Sequence, residues 1–157
     1  MTVAELVTRD RVRLEPECTS QKRALETLAE LLAAGNDGDT PAPGAGAIFE
    51  ALSAREKLGS TGLGHGVAIP HGRLAGLDAP RVAVLRLGNG IDFDAMDHEP
   101  VDILIALVVP ESATSAHLDL LAQLARGLSQ PDNIAALRRA EDPAALEQEM
   151  VRAFGGD

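Results

Sequence analysis

The 157-residue chain contains no tryptophan, no tyrosine, only three phenylalanines and one cysteine, Cys18. A single cysteine excludes an internal disulfide, so packing has to hold the fold, and the pattern fits a reducing compartment. So few aromatics restrict the large anchors an interface can use, without excluding an interface. Positive charge is also scarce: 14 Lys and Arg stand against 24 Asp and Glu, a formal net charge of -10. No basic block offsets that repulsion, which argues against a nucleic-acid backbone or an anionic membrane as partner and leaves proteins or small ligands. Long apolar runs are missing as well. The longest, Ile103 to Val109, is far too short to span a bilayer, and charges break up "MTVAELVTRDRVRLEPE" before a signal-like core builds up. The expectation is a soluble, cytoplasmic protein with no membrane insertion.

Several motifs are absent too. There is no G-x-G-x-x-G, no Walker lysine, no C-x-x-C and no G-x-S-x-G. His65 and His98 with Asp92, Asp94 and Asp97 invite a metal, but His65 and His71 are not at a helical ligand spacing, and the three aspartates do not follow a calcium loop with its central glycine. An acidic, solvated turn is the better reading, with no metal and no cofactor expected.

What is present is 45% hydrophobic residues, ordinary for a globular chain, and the length suits one domain over residues 1–157. "TSQKRALETLAELLAAG" places Ala24, Leu25, Leu28, Leu31 and Leu32 on one helical stripe, with Thr19 or Ser20 as cap and Gly35 as stop. "NDGDTPAPGAG" reads as a flexible loop. "AIFEALSAREK" predicts a second helix with Ile48, Phe49 and Leu52 inward and Arg55 near its C-terminal end. "RVAVLRL" and "VDILIALVVP" read as strands, the second apolar on both faces and so central in a sheet, with "GNGIDFDAMDHEP" a turn-rich connection. From "ESATSAHLDLLAQLARGL" the helical period returns, with Leu118, Leu121, Ala125 and Leu128 at steps of three and four. Two shorter helices close the chain, near Asn133 to Arg139 and from Pro143 to Phe154. The fold class is α/β (α+β), one mixed β-sheet flanked by helices.

The densest signal is "LGSTGLGHGVAIPHGRL", Leu58 to Leu74, with five glycines, two histidines and a proline. Gly62, Gly64 and Gly66 alternate in a way that a hairpin or bulged strand explains better than a nucleotide loop. Pro70 cannot donate to a sheet ladder, so the strand should end there and leave His71 at its lip, on a bend that Gly72 completes. With one ring nitrogen bonded to a backbone carbonyl, the other would be an acceptor and nucleophile near neutral pH. Spacing alone leaves open an ordinary surface histidine. Thr114 is a candidate cap that puts His117 in a helix's first turn, where a neutral imidazole can donate to a phosphate or simply face water. Arg55 can neutralise phosphoryl oxygens with its forked donors or be a surface helix residue beside Glu56 and Lys57.

"SAREKLGSTGLGHGVAIPHGRL" together with "FDAMDHEPVDILIALVVPESATSAHLDLLAQLA" resembles the enzyme IIA family of the bacterial phosphotransferase system, fructose/mannitol type, and most of all its nitrogen-regulatory branch. The resemblance runs from about "ECTSQKRALETLAELLA" to "IAALRRAEDPAALEQ". It implies a mannitol-type enzyme IIA architecture, His71 as the phosphorylated histidine, His117 as the second active-site histidine and Arg55 as the active-site arginine. It also implies a histidine phosphocarrier protein as phosphoryl donor, and either regulatory protein targets or a IIB unit as the next partner. The "GNDGDTPAPGAG" loop looks elongated against the family, and His65 stands where histidine is not required. A sugar-specific IIA component is the alternative within the family. A protein-binding module whose phosphate site has lapsed is the alternative of another class.

Overall fold

The computed structural model describes residues 1–34 and 43–155. In chain order the elements are α1 (Val3–Leu6), a short 3-10 helix (Arg9–Arg11), β1 (Val12–Glu15), α2 (Gln21–Ala33), α3 (Ala45–Leu58), β2 (Gly62–Gly64), β3 (Val67–Ala68), β4 (His71–Leu74), β5 (Arg81–Ile91), β6 (Val101–Pro110), α4 (Thr114–Leu128), α5 (Pro131–Arg139) and α6 (Pro143–Phe154). The strands form one mixed sheet in the order β1-β5-β6-β3-β2, with β4 also paired to β6. β5 and β6 are antiparallel, whereas β1 runs parallel to β5, and β3 and β4 parallel to β6. Among the described residues no helix is long and apolar enough to cross a membrane.

A strand apolar on both faces is stable only when both are covered, and that requirement sets the layers. Leu104, Ala106 and Val108 of β6 pack into a cluster with Leu25, Leu28 and Leu32 of α2 and Ile48 and Leu52 of α3. Ile103, Ile105, Leu107 and Val109 point the other way, onto Leu120, Leu124, Ile134, Leu146 and Met150 of α4, α5 and α6. Each such fully buried Leu or Ile contributes about 1.5–3 kcal/mol, so the two apolar layers dominate the stability.

The α2 stripe is buried as its spacing predicts, and Ser20 is the cap, its hydroxyl accepting from the Arg23 amide. The Gly35 stop and the loop through Ala42 lie outside the described residues. α3 begins at Ala45 with Ile48 and Leu52 buried, while Phe49 is only partly so. The glycine alternation is a bulged hairpin of β2 and β3.

Four expectations are corrected. In α4 the inward stripe is Leu120, Leu124 and Leu128, while Leu118 is 64% exposed; this leucine-rich helix offers two stripes, and the sheet selects one. Thr114 is the first helical residue and not a cap, since Ala113 precedes the helix and no side chain caps it. β5 continues through Gly88–Ile91, where a turn was expected, because Ile91 pairs with Val101 after a register shift and buries its side chain. His71 opens a strand and does not sit on a bend. The offset Val67↔Ile103 and Ala68↔Leu104 is the same as His71↔Leu107 and Gly72↔Val108, so the chain follows one line along β6. Pro70, with no N–H, interrupts the ladder, yet its carbonyl still accepts from the Leu107 amide at 2.9 Å.

Gly66 closes the β2–β3 turn at φ 83°, beside the bidentate Arg138–Asp102 pair, and a Cβ there would run into the Arg138 guanidinium. Gly66→Ala combines backbone strain with loss of that pair. It is expected to cost about 1–3 kcal/mol in urea denaturation.

Candidate active site

Strand β4 carries two polar side chains at alternate positions, His71 and Arg73, and period-two geometry sends both to the same face. Their neighbours decide which face. Gly72 and Leu74 lie toward α3, and His71 pairs with Leu107, whose side chain belongs to the α4 layer. His71 therefore projects on the α4 side, where its ring meets that of His117 edge-on, centroids 5.3 Å apart and planes at 72°.

Arg55 comes from the opposite layer. It sits in the last turn of α3, and its Nε donates to His71 Nε2 at 3.3 Å while Nη1 donates to the Gly59 carbonyl at 2.8 Å. The approach depends on Gly72: α3 lies so close over β4 that a Cβ at this position would come within 3.4 Å of that of Ala51. A larger side chain would lift the end of α3 and withdraw the guanidinium. Next door, Glu56 accepts from both the amide and the hydroxyl of Thr61, fixing the chain as it leaves the helix; burial is the main cause that raises the Glu56 carboxyl above its ordinary range.

The two partners of His71 fix its protonation. Nδ1 lies 2.8 Å from the Ile69 carbonyl oxygen, which can only accept, and Nε2 faces a guanidinium, which can only donate. The ring is thus the neutral Nδ1–H tautomer, with an unshared pair on Nε2. Burial is the largest cause holding the imidazole below its ordinary value of 6.5; the Ile69 bond opposes it and the Arg55 charge adds to it. His117 is held below 6.5 by burial first, then by His71 and Arg73, and its Nε2 is buried without a hydrogen-bond partner. In an NMR titration both rings are expected to protonate below 6.5. The unfolded chain would take up those protons first, so stability starts to fall as pH drops through 6.5 and levels off below the folded values.

These residues share an open cleft with Ala51, Ala54, Leu58 and Glu111. Arg55, His71 and His117, singled out in the sequence, are brought together from α3, β4 and α4. Arg73 and Glu111 also line the cleft, although no motif in the sequence marks them. Two-residue spacing from His71 was the available signal for Arg73, had this segment been read as a strand. His65 and His98 are elsewhere, both at positive φ in turns, where Asp97 accepts from the amides of His65 and Glu99. Chemically, the cleft offers the unprotonated Nε2 of His71 with the Arg55 guanidinium on it, and the Arg73 guanidinium lines the same cleft, in an otherwise acidic chain. That arrangement suits an electrophile carrying negative charge.

Comparison with known proteins points the same way. The family model described as "Phosphoenolpyruvate-dependent sugar phosphotransferase system, EIIA 2" matches residues 5–151. A nitrogen regulatory protein of Pseudomonas aeruginosa is 50% identical over 137 residues, 87% of this chain and 86% of that one. A fructose-specific EIIA component of Haloferax volcanii is 33% identical over 141 residues, covering 89% and 88%. Among solved structures, nitrogen regulatory protein IIA-Ntr from Neisseria meningitidis superposes with a TM-score of 0.85 at 37% identity, covering 94% of this chain and 98% of that one.

Proposed function

Because the chain belongs to the EIIA 2 family of the phosphoenolpyruvate-dependent sugar phosphotransferase system, we propose that His71 carries the phosphoryl group of a phosphocarrier that regulates protein targets. The observation that carries this reading is the pair of hydrogen bonds at His71: the Ile69 carbonyl engages Nδ1–H, which leaves the unshared pair of Nε2, held by Arg55, as the nucleophile in a cleft that Arg73 also lines.

The donor is a histidine phosphocarrier protein. Its phosphorylated imidazole seats over the cleft, with phosphorus in line between the donor nitrogen and His71 Nε2. As the Nε2–P bond forms, the donor N–P bond breaks and its electron pair returns to the donor ring. Arg55 gives up its bond to Nε2 and turns to the phosphoryl oxygens. The ring of His71 gains positive character, and Nδ1–H donates more strongly to Ile69. The ring of His117, edge-on to that of His71 in the same cleft, is a further contact for the transferred group.

The nitrogen-regulatory assignment rests on 50% identity to a protein of that name, against 33% to a fructose-specific component. A sugar-uptake role is the second reading, supported by that lesser likeness. The test is reconstitution with phosphoenolpyruvate, enzyme I and the histidine phosphocarrier, followed by tandem mass spectrometry. One acid-labile phosphoryl group is expected, on the peptide containing His71. A phosphoryl group on His117, or none at all, would overturn the reading, and the second of these results would favour a binding module. Rapid onward transfer to a IIB unit would reassign the protein to sugar transport.

A further inference from the structure

We propose that Arg73 is a second ligand of the phosphoryl oxygens, parked on Thr114 until His71 is phosphorylated, and that it sets how far phosphoryl transfer runs to completion. The inference rests on the reading of His71 as the acceptor. Arg73 follows His71 by two positions on β4, so the two Cα atoms are about 6.6 Å apart and their side chains leave the same face. An arginine spans that distance, and both residues line the one cleft.

Its present bonding is weak. Nη1 donates to the Thr114 hydroxyl at 3.3 Å, a neutral acceptor at the exposed start of α4. Arg73 takes part in none of the ion pairs formed among the described residues, although acidic side chains outnumber basic ones by 24 to 14 in the chain. Its charge nevertheless reaches the site, since it is among the causes that hold His117 below its ordinary value.

A phosphoryl group on Nε2 changes the balance. The cleft holds Arg55, Arg73 and the Glu111 carboxylate, with both imidazoles neutral. The added negative charge repels Glu111 and attracts both guanidinium groups. Arg55 arrives from the α3 side of the sheet and Arg73 from the β4–α4 side, so they can hold different oxygens. Exchanging a neutral hydroxyl for a phosphoryl oxygen gives Arg73 the stronger, charge-assisted bond. The gain exists only in the phosphorylated state, so it appears in the transfer equilibrium.

The experiment mixes stoichiometric phosphorylated phosphocarrier with wild-type protein, Arg73→Ala or Arg73→Lys, and quantifies both phosphorylated proteins once the ratio is steady. Arg73→Ala is expected to shift the equilibrium about tenfold toward the donor, the scale of one charge-assisted hydrogen bond. Arg73→Lys, which keeps the charge and loses the fork, should fall between. An equilibrium in Arg73→Ala equal to wild type overturns the proposal. So does slower transfer with an unshifted equilibrium, which would make Arg73 a steering charge for the donor. Wild type that accepts no phosphoryl group removes the His71 reading itself, and the proposal with it.

Discussion

His71→Ala is expected to accept no phosphoryl group from the phosphocarrier, at any donor concentration, while remaining folded. The reason is that the described residues of the cleft supply no substitute nucleophile. His117 is the other imidazole there, but its Nε2 is buried without a partner, and among the described residues no carbonyl holds its tautomer as Ile69 holds that of His71. Transfer needs an unshared pair aligned with the breaking bond, and misplacement by about 1 Å can already cost a hundredfold. The side chain of His71 is only half buried, at the edge of an open cleft, so its removal leaves the apolar layers untouched. Intact-protein mass spectrometry checks acceptance and a urea denaturation curve checks the fold. A phosphorylated His71→Ala would refute the assignment.

Arg55→Ala should retain acceptance but slow it by about a hundredfold, the cost of removing one preorganised donor aimed at developing charge. Arg55 has two distinguishable roles. Its Nη1 bond to the Gly59 carbonyl tethers the guanidinium at the end of α3, and its Nε bond keeps Nε2 of His71 unprotonated. The Arg55 charge is also one cause of the lowered His71 value, so its loss lets the ring protonate at higher pH. The acid limb of the rate against pH is therefore expected to move upward in Arg55→Ala, in addition to the drop in the plateau. Arg55→Lys keeps a charge without the fork and should restore the acid limb more than the plateau. Single-turnover transfer measured across pH separates the two effects. An unchanged plateau would exclude Arg55 from the chemistry.

Much of the fold was legible in the chain. Ala24, Leu25, Leu28, Leu31 and Leu32 of α2 are all buried, and the bounds of β6 and α6 match the apolar run at Val101–Pro110 and the proline at residue 143. These are local signals, carried by period and by the chemistry of helix ends. The α4 stripe is ambiguous in the sequence because Leu118, Leu120, Leu121, Leu124 and Leu128 fit more than one face of a helix. β1 gave no signal of its own: four residues paired parallel to β5 depend on a partner seventy-two positions away, Val12 meeting Val84.

The site divides in the same way. Composition and spacing put a histidine after a proline in a glycine-rich stretch, and the quoted motifs carried the family resemblance, because those are properties of consecutive residues. Only the folded chain brought Arg55 around the edge of β4 to a histidine on the far face, set His117 against it, fixed the proton on Nδ1 and placed Arg73 in the cleft. Each of those facts is a distance between residues remote in sequence or the conformation of a side chain. Such quantities are set by how two apolar layers pack on a shared sheet, which no window of sequence contains.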